Sequence, residues 1–154
     1  MAPVSEDRSR GVRVAAAILW RALVAVAGLH VYWMLGGTWA VHAASGGAYD
    51  EVTTGLRVES AVVAVVLVVG CLIVRARAGL WKAPVSDRTV RVAMWALTVV
   101  LALASLVNFA ASTNWERFLI GPLVLVLALL ALVVAGSGRE WRRAHRPHRT
   151  LPSH

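Results

Sequence analysis

The chain has 154 residues, a net charge of +8 and 58% apolar residues, with room for one domain. A soluble domain of that length buries only part of the apolar surface it carries, so this composition argues against a soluble fold and for a lipid-facing exterior. Basic charge can also signal nucleic-acid binding, but here it lies between apolar runs rather than on one face. That pattern marks the charges as topology signals and contacts for anionic headgroups, with no nucleic acid implied.

Four segments read in turn as membrane spans, at about residues 14–35, 53–74, 92–111 and 115–135. Each is close to the roughly 20 residues needed to cross about 30 Å of hydrocarbon. Open segments there must be helical, because backbone polar groups have to be satisfied internally. The expected fold class is therefore all-α, a four-helix transmembrane bundle. Residues 1–13 form an N-terminal cytoplasmic segment, residues 14–136 the transmembrane domain and residues 137–154 a basic cytoplasmic tail. The first apolar stretch exceeds the usual core of a cleaved signal peptide and is read as a retained helix.

Orientation follows from the arginines. The N-terminal segment with Arg21, the loop between spans two and three, and the tail together carry fourteen basic residues. Only Arg57 and Arg117 stand on the other side, with the acids Asp50, Glu51, Glu59 and Glu116. The positive-inside rule then places both termini in the cytoplasm. Of the sixteen basic residues only Lys82 is a lysine, a bias that fits a bacterial source.

Helix ends agree with this layout. Gly36 and Gly37 stop the first helix, glycine taking the left-handed conformation without strain. Thr113 and Glu116 have capping-box spacing for the fourth, and Pro122 is expected to kink it. Trp33, Trp39 and Trp115 suit an outer aromatic belt, and Trp20, Trp81 and Trp141 an inner one.

Depth counted from the cytoplasmic arginines, at 1.5 Å per residue, sets His30, Glu59 and Asn108 at a common height of roughly 24–26 Å. These three are the candidate catalytic residues. An acid inside a membrane is a functional hypothesis by default, while the competing reading is helix-to-helix hydrogen bonding, worth about 0.6 kcal/mol on average. On the first helix His30 and Trp33 share a face with Gly37, and Arg21 faces the opposite way. The single cysteine, Cys71, excludes an intramolecular disulfide and a CxxC site. No metal site and no cofactor motif is read.

The run Gly28-Leu-His-Val-Tyr-Trp-Met-Leu-Gly-Gly-Thr-Trp39 resembles the H-x-Y-W-x-x-G-G-x-W signature of the bacterial DUF3995 family, short four-span membrane proteins. The segment from Trp115 to Pro122 and Leu123 resembles the opening of that family's last helix, with Ile120-Gly121 where Tyr-Ser is expected. The resemblance implies a multi-pass protein of a bacterial cytoplasmic membrane and directs attention to His30, Tyr32, Trp33, Gly36, Gly37, Trp39, Trp115 and Pro122. The family has no assigned function, so the resemblance supplies no reaction.

Three functions are compatible with these residues. The first is a non-catalytic helical bundle or accessory subunit, homo-oligomeric or bound to a membrane partner, with the lipid bilayer and anionic cytoplasmic headgroups as surroundings. The second is an enzyme acting on a lipid or isoprenoid near the outer leaflet, with Glu59 as acid or base, His30 as its partner and Asn108 orienting substrate. The third is an oligomeric transporter or proton-coupled channel using the same residues.

Overall fold

The computed structural model describes residues 4–41, 51–112 and 114–137, with side chains from Arg10 onward. Its helices among the described residues are α1 (Val4–Met34), α2 (Thr54–Arg77), α3 (Asp87–Ala110) and α4 (Gly121–Gly136), the last preceded by a π-helical turn over Glu116–Ile120. Among the described residues there is no strand. Thr113, the tail from residue 138, and His42 to Asp50 lie outside them, so the Thr113–Glu116 capping pair and the tail fall outside as well.

Among the described residues four segments are long and apolar enough to cross a membrane: Arg10–Met34, Thr54–Arg77, Asp87–Ala110 and Glu116–Gly136. Only 22 to 33% of the most apolar stretch of each is buried in the bundle. Much of the remainder is exposed Val and Leu, including Val62, Val99, Leu106 and Leu129. Lipid, unlike water, imposes no penalty on such a surface. The chain is a multi-pass integral membrane protein.

Local sequence fixes most helix ends. Thr53 Oγ1 accepts from the Leu56 amide at 3.2 Å to open α2. Ser86 Oγ accepts from the Thr89 amide at 3.1 Å and opens α3 at Asp87, five residues ahead of the expected Val92. Hydroxyl caps of this kind satisfy amides that have no partner inside the helix. At the other end of α2 the Gly79 amide reaches the Ala76 carbonyl at 3.1 Å and the Leu80 amide the Arg75 carbonyl at 2.9 Å. This is a Schellman stop, with Gly79 in the left-handed region at φ 72°. At its start α1 reaches back to Val4, so the helix extends through most of residues 1–13, ahead of the membrane-length stretch that begins at Arg10.

The helices pair as antiparallel neighbours. α1 lies along α2 and α3 along α4; the pairs close through α1 against α4 and α2 against α3, leaving α1 and α3 at opposite corners. The core is formed by Leu19, Leu23, Met94, Leu101, Leu127, Ala131 and Val134. Gly70 makes the central crossing possible. A β-carbon there would stand 3.3 Å from Leu97 and 3.7 Å from Leu23, so α1 and α3 side chains both close onto α2 at that point. Small residues permit this approach where no hydrophobic force drives helices together.

The bundle has two distinct ends. The basic end gathers Arg75, Arg77, Lys82, Arg88 and Arg91; the other carries the Gly36-Gly37 turn with Arg57 and Arg117. On α2, Arg57 and Arg75 are eighteen residues apart, about 27 Å along the axis, close to the thickness of a hydrocarbon core. At the basic end Arg77 Nη2 donates to the Ala135 carbonyl at 3.0 Å, closing the C-terminus of α4 with a cation.

Candidate functional site at the glycine-turn end

The last turn of α1 closes by a Schellman motif. The Gly37 amide reaches the Tyr32 carbonyl at 2.9 Å and the Gly36 amide the Trp33 carbonyl at 3.0 Å, with Gly36 at φ 98°. Gly37 is needed for a second reason: the Tyr32 ring lies against its α-carbon, where any side chain would overlap the ring. The Tyr32 hydroxyl accepts from the Trp39 amide at 3.4 Å, and Trp33 Nε1 donates to the Trp39 carbonyl at 2.9 Å. Trp33 is buried with Val41 and Leu56. It is thus a core residue and not part of the aromatic belt expected for it, whereas Trp39 and Trp115 are exposed. Arg57 crosses from α2 so that its Nη2 would stand 2.8 Å from a β-carbon on Gly36. This sets a cation beside the C-terminus of α1.

One turn below, His30 meets Trp33 edge to face, the ring centres 5.1 Å apart at 83°. Glu59 of α2 lies within electrostatic reach of the His30 ring. It is exposed on the outer surface of its helix and stands two residues, about 3 Å, inside Arg57. Ser60 points the other way and is fully buried. Trp33 packs with Leu56, and a β-carbon on Gly70 would touch Leu23; this antiparallel register brings Ser60 level with His30. His30 Nδ1 and Ser60 Oγ are both buried without a hydrogen-bond partner among the described residues. Two such atoms at one level form a polar spot between α1 and α2.

Asn108 does not join them. It sits on α3, across the diagonal from α1, and its Nδ2 donates to the Ala104 carbonyl of its own helix at 2.8 Å. Its surroundings form a separate polar cluster between α3 and α4. Ser105 Oγ, buried, donates to the Gly121 carbonyl at 3.1 Å. Arg117 closes the end of α3 through Nε to Phe109 O at 3.3 Å and Nη2 to Ala111 O at 3.0 Å. The distortion expected at Pro122 is a π-helical turn just ahead of it, where the Gly121 amide bonds the Glu116 carbonyl. Pro122 offers no amide of its own, and Gly121 supplies the space: a β-carbon there would lie 3.1 Å from the Phe109 ring.

Arg21 behaves as its helical position implies. It is exposed, and its Nη1 turns back to the Ala17 carbonyl at 3.2 Å. Sequence reasoning missed Ser60, Ser105 and the contact of Arg57 with Gly36. The signal available was small hydroxyls near polar neighbours inside apolar runs, a common form of inter-helix contact in membranes. Among the described residues no three His, Cys, Asp or Glu side chains gather as a metal site would require.

The family model described as a protein of unknown function, DUF3995, matches residues 23–131. That stretch includes both polar clusters and the glycine turn. No curated protein and no solved structure matches the chain.

Proposed function

The chain belongs to the DUF3995 family, and from that premise we propose that it is a non-catalytic membrane bundle acting as an accessory subunit. One observation carries this reading: most polar groups at the glycine-turn end are engaged in closing the fold. Trp33 and Tyr32 bind the Trp39 backbone, Ser105 binds Gly121, Arg117 binds the end of α3, and Asn108 binds its own helix. Groups engaged in this way stiffen a scaffold and leave few free donors for a substrate. The basic end faces the cytoplasm by the positive-inside rule, and the host membrane is a bacterial cytoplasmic membrane. The partners are a second copy or another membrane protein, with anionic headgroups around the basic end.

The test is to express the wild-type protein, Glu59→Gln and His30→Ala to equal levels and profile membrane lipids by mass spectrometry. The accessory reading expects the same lipid profile from all three and from cells lacking the protein. A lipid species made by the wild type and lost in Glu59→Gln would overturn it.

A second reading rests on the polar spot itself. His30 Nδ1 and Ser60 Oγ have no hydrogen-bond partner among the described residues, and Glu59 is within electrostatic reach of His30. That is the pairing a membrane enzyme would use to move a proton on a lipid near the outer leaflet, with His30 and Glu59 sharing the acid and base roles. The same lipid profile decides between the two.

A further inference from the structure

At the opposite, basic end, α1 and α2 present a second feature that the proposed function does not use. The half-buried Trp20 ring receives two cations. Arg21 Cζ lies 4.8 Å from its centre and Arg75 Cζ, from the neighbouring helix, 5.6 Å. Both arginines are exposed, and neither forms an ion pair among the described residues. Of the acids with described side chains, Glu51, Glu59 and Glu116 belong to the other end of the bundle, and Asp87 opens α3 at the basic end.

Two like charges on one ring repel, and each is more stable reaching outward into water. Arg75 does the reverse. Side chains on a helix lean toward that helix's N-terminus, and α2 begins at the glycine-turn end, so Arg75 leans into the membrane toward Trp20. Arg21, on the antiparallel α1, leans toward the basic end and meets it there. Both guanidinium groups thus come within 5.6 Å of the centre of one ring, at the edge of the hydrocarbon, where a lipid's phosphate sits above its acyl chains. Planar guanidinium forks match phosphate oxygens in pairs, and the exposed Val24 and Leu72, one turn deeper in the membrane on the same two helices, suit an acyl chain.

We propose that Arg21 and Arg75, held over Trp20, bind the phosphate of one anionic phospholipid at the basic end of the α1–α2 groove. The site uses the membrane reading of the chain but neither the accessory nor the enzymatic role. Trp20 is the platform that keeps both forks at one depth, and the anion offsets their mutual repulsion.

The experiment uses the purified full-length chain in mild detergent, with native mass spectrometry counting retained dioleoyl phosphatidylglycerol against dioleoyl phosphatidylcholine. The wild type retains one phosphatidylglycerol in preference. Arg21→Gln with Arg75→Gln lowers that retention at least about tenfold, a change of about 1.4 kcal/mol. Arg10→Gln with Arg13→Gln, on the same helix but away from the ring, leaves it within about twofold of the wild type. Helix content and unfolding without added lipid confirm that both double variants are folded; should the first fail to fold, Arg75→Gln alone is used. Equal retention of the two lipids, or an equal loss in the Arg10 and Arg13 variant, overturns the proposal in favour of diffuse attraction. Inorganic phosphate alone is the remaining arm. If it stabilises the wild type as much as phosphatidylglycerol does, and not the Arg21 and Arg75 variant, the site is one for free anion and the lipid assignment falls.

Discussion

Trp33 of α1 and Trp39 of the following loop are joined by a single hydrogen bond, indole Nε1 to carbonyl at 2.9 Å. Trp33 is buried and Trp39 exposed, so the bond pins a surface loop to the core through one donor. The two glycines between them let the chain reverse tightly enough for the carbonyl to arrive there.

Replacing Trp33 by Phe keeps most of the ring and removes the donor. The expected loss is about 1 kcal/mol, the usual net value of one hydrogen bond. Trp33→Ala also empties a site against Val41 and Leu56 and is expected to lose about 3–5 kcal/mol. Denaturant titration in detergent, followed by helix signal, measures both. A Trp33→Phe variant as stable as the wild type would show that the bond contributes nothing.

Gly37→Ala forces a methyl group into the Tyr32 ring and is expected to destabilise the fold by about 1–3 kcal/mol. Adding Tyr32→Ala should recover part of that loss, because the clash disappears with the ring. A double-mutant cycle gives the coupling, and strict additivity would show that ring and glycine are not in contact. Gly36→Ala is destabilising for a different cause, its φ of 98°, and Tyr32→Ala should not rescue it.

Ser105→Ala removes the bond to the Gly121 carbonyl beside the π-helical turn. Inter-helix bonds in membranes average about 0.6 kcal/mol and reach about 1.7 kcal/mol, so a loss in that interval is expected. Hydrogen exchange at residues 116–121 should rise in this variant more than at the middle of α4. An unchanged exchange pattern would leave the turn fixed by Gly121 and Pro122 alone.

Membrane orientation is tested by cysteine labelling in a Cys71→Ser background. With the basic end in the cytoplasm, Glu51→Cys in intact cells reacts with a membrane-impermeant maleimide, and Lys82→Cys reacts only after the cells are opened. The reverse pattern would invert the chain. Reaction of both positions in intact cells would place them on the same side and contradict an odd number of crossings between them.

Much of this architecture was legible in the sequence because lipid imposes simple rules. Each apolar run had to be helical, its length had to approach the core thickness, and glycine and hydroxyl residues marked where it ended. The stop at Gly36 followed from these rules, and the start of α3 at Ser86 was open to the same reading. The arginines near the start of α1 bear on where the membrane span begins and not on where the helix does. Charged side chains leave helical hydrogen bonding intact, and α1 simply runs on to Val4.

The common height of His30, Glu59 and Asn108 was a one-dimensional result, and height along an axis carries no information about direction around it. Only the packing decided that α1 pairs with α2 and α3 with α4, which puts His30 near Glu59 and sends Asn108 to another corner. The same packing turned Ser60 inward, buried Trp33 and leaned Arg21 and Arg75 onto one indole. The sequence by itself determined four helices, their ends and the grouping of charge, since each depends on a residue and its immediate neighbours. Which side chains meet depends on helix rotation and partner choice. Those are set by how small residues such as Gly70 let helices approach, a property of two surfaces together.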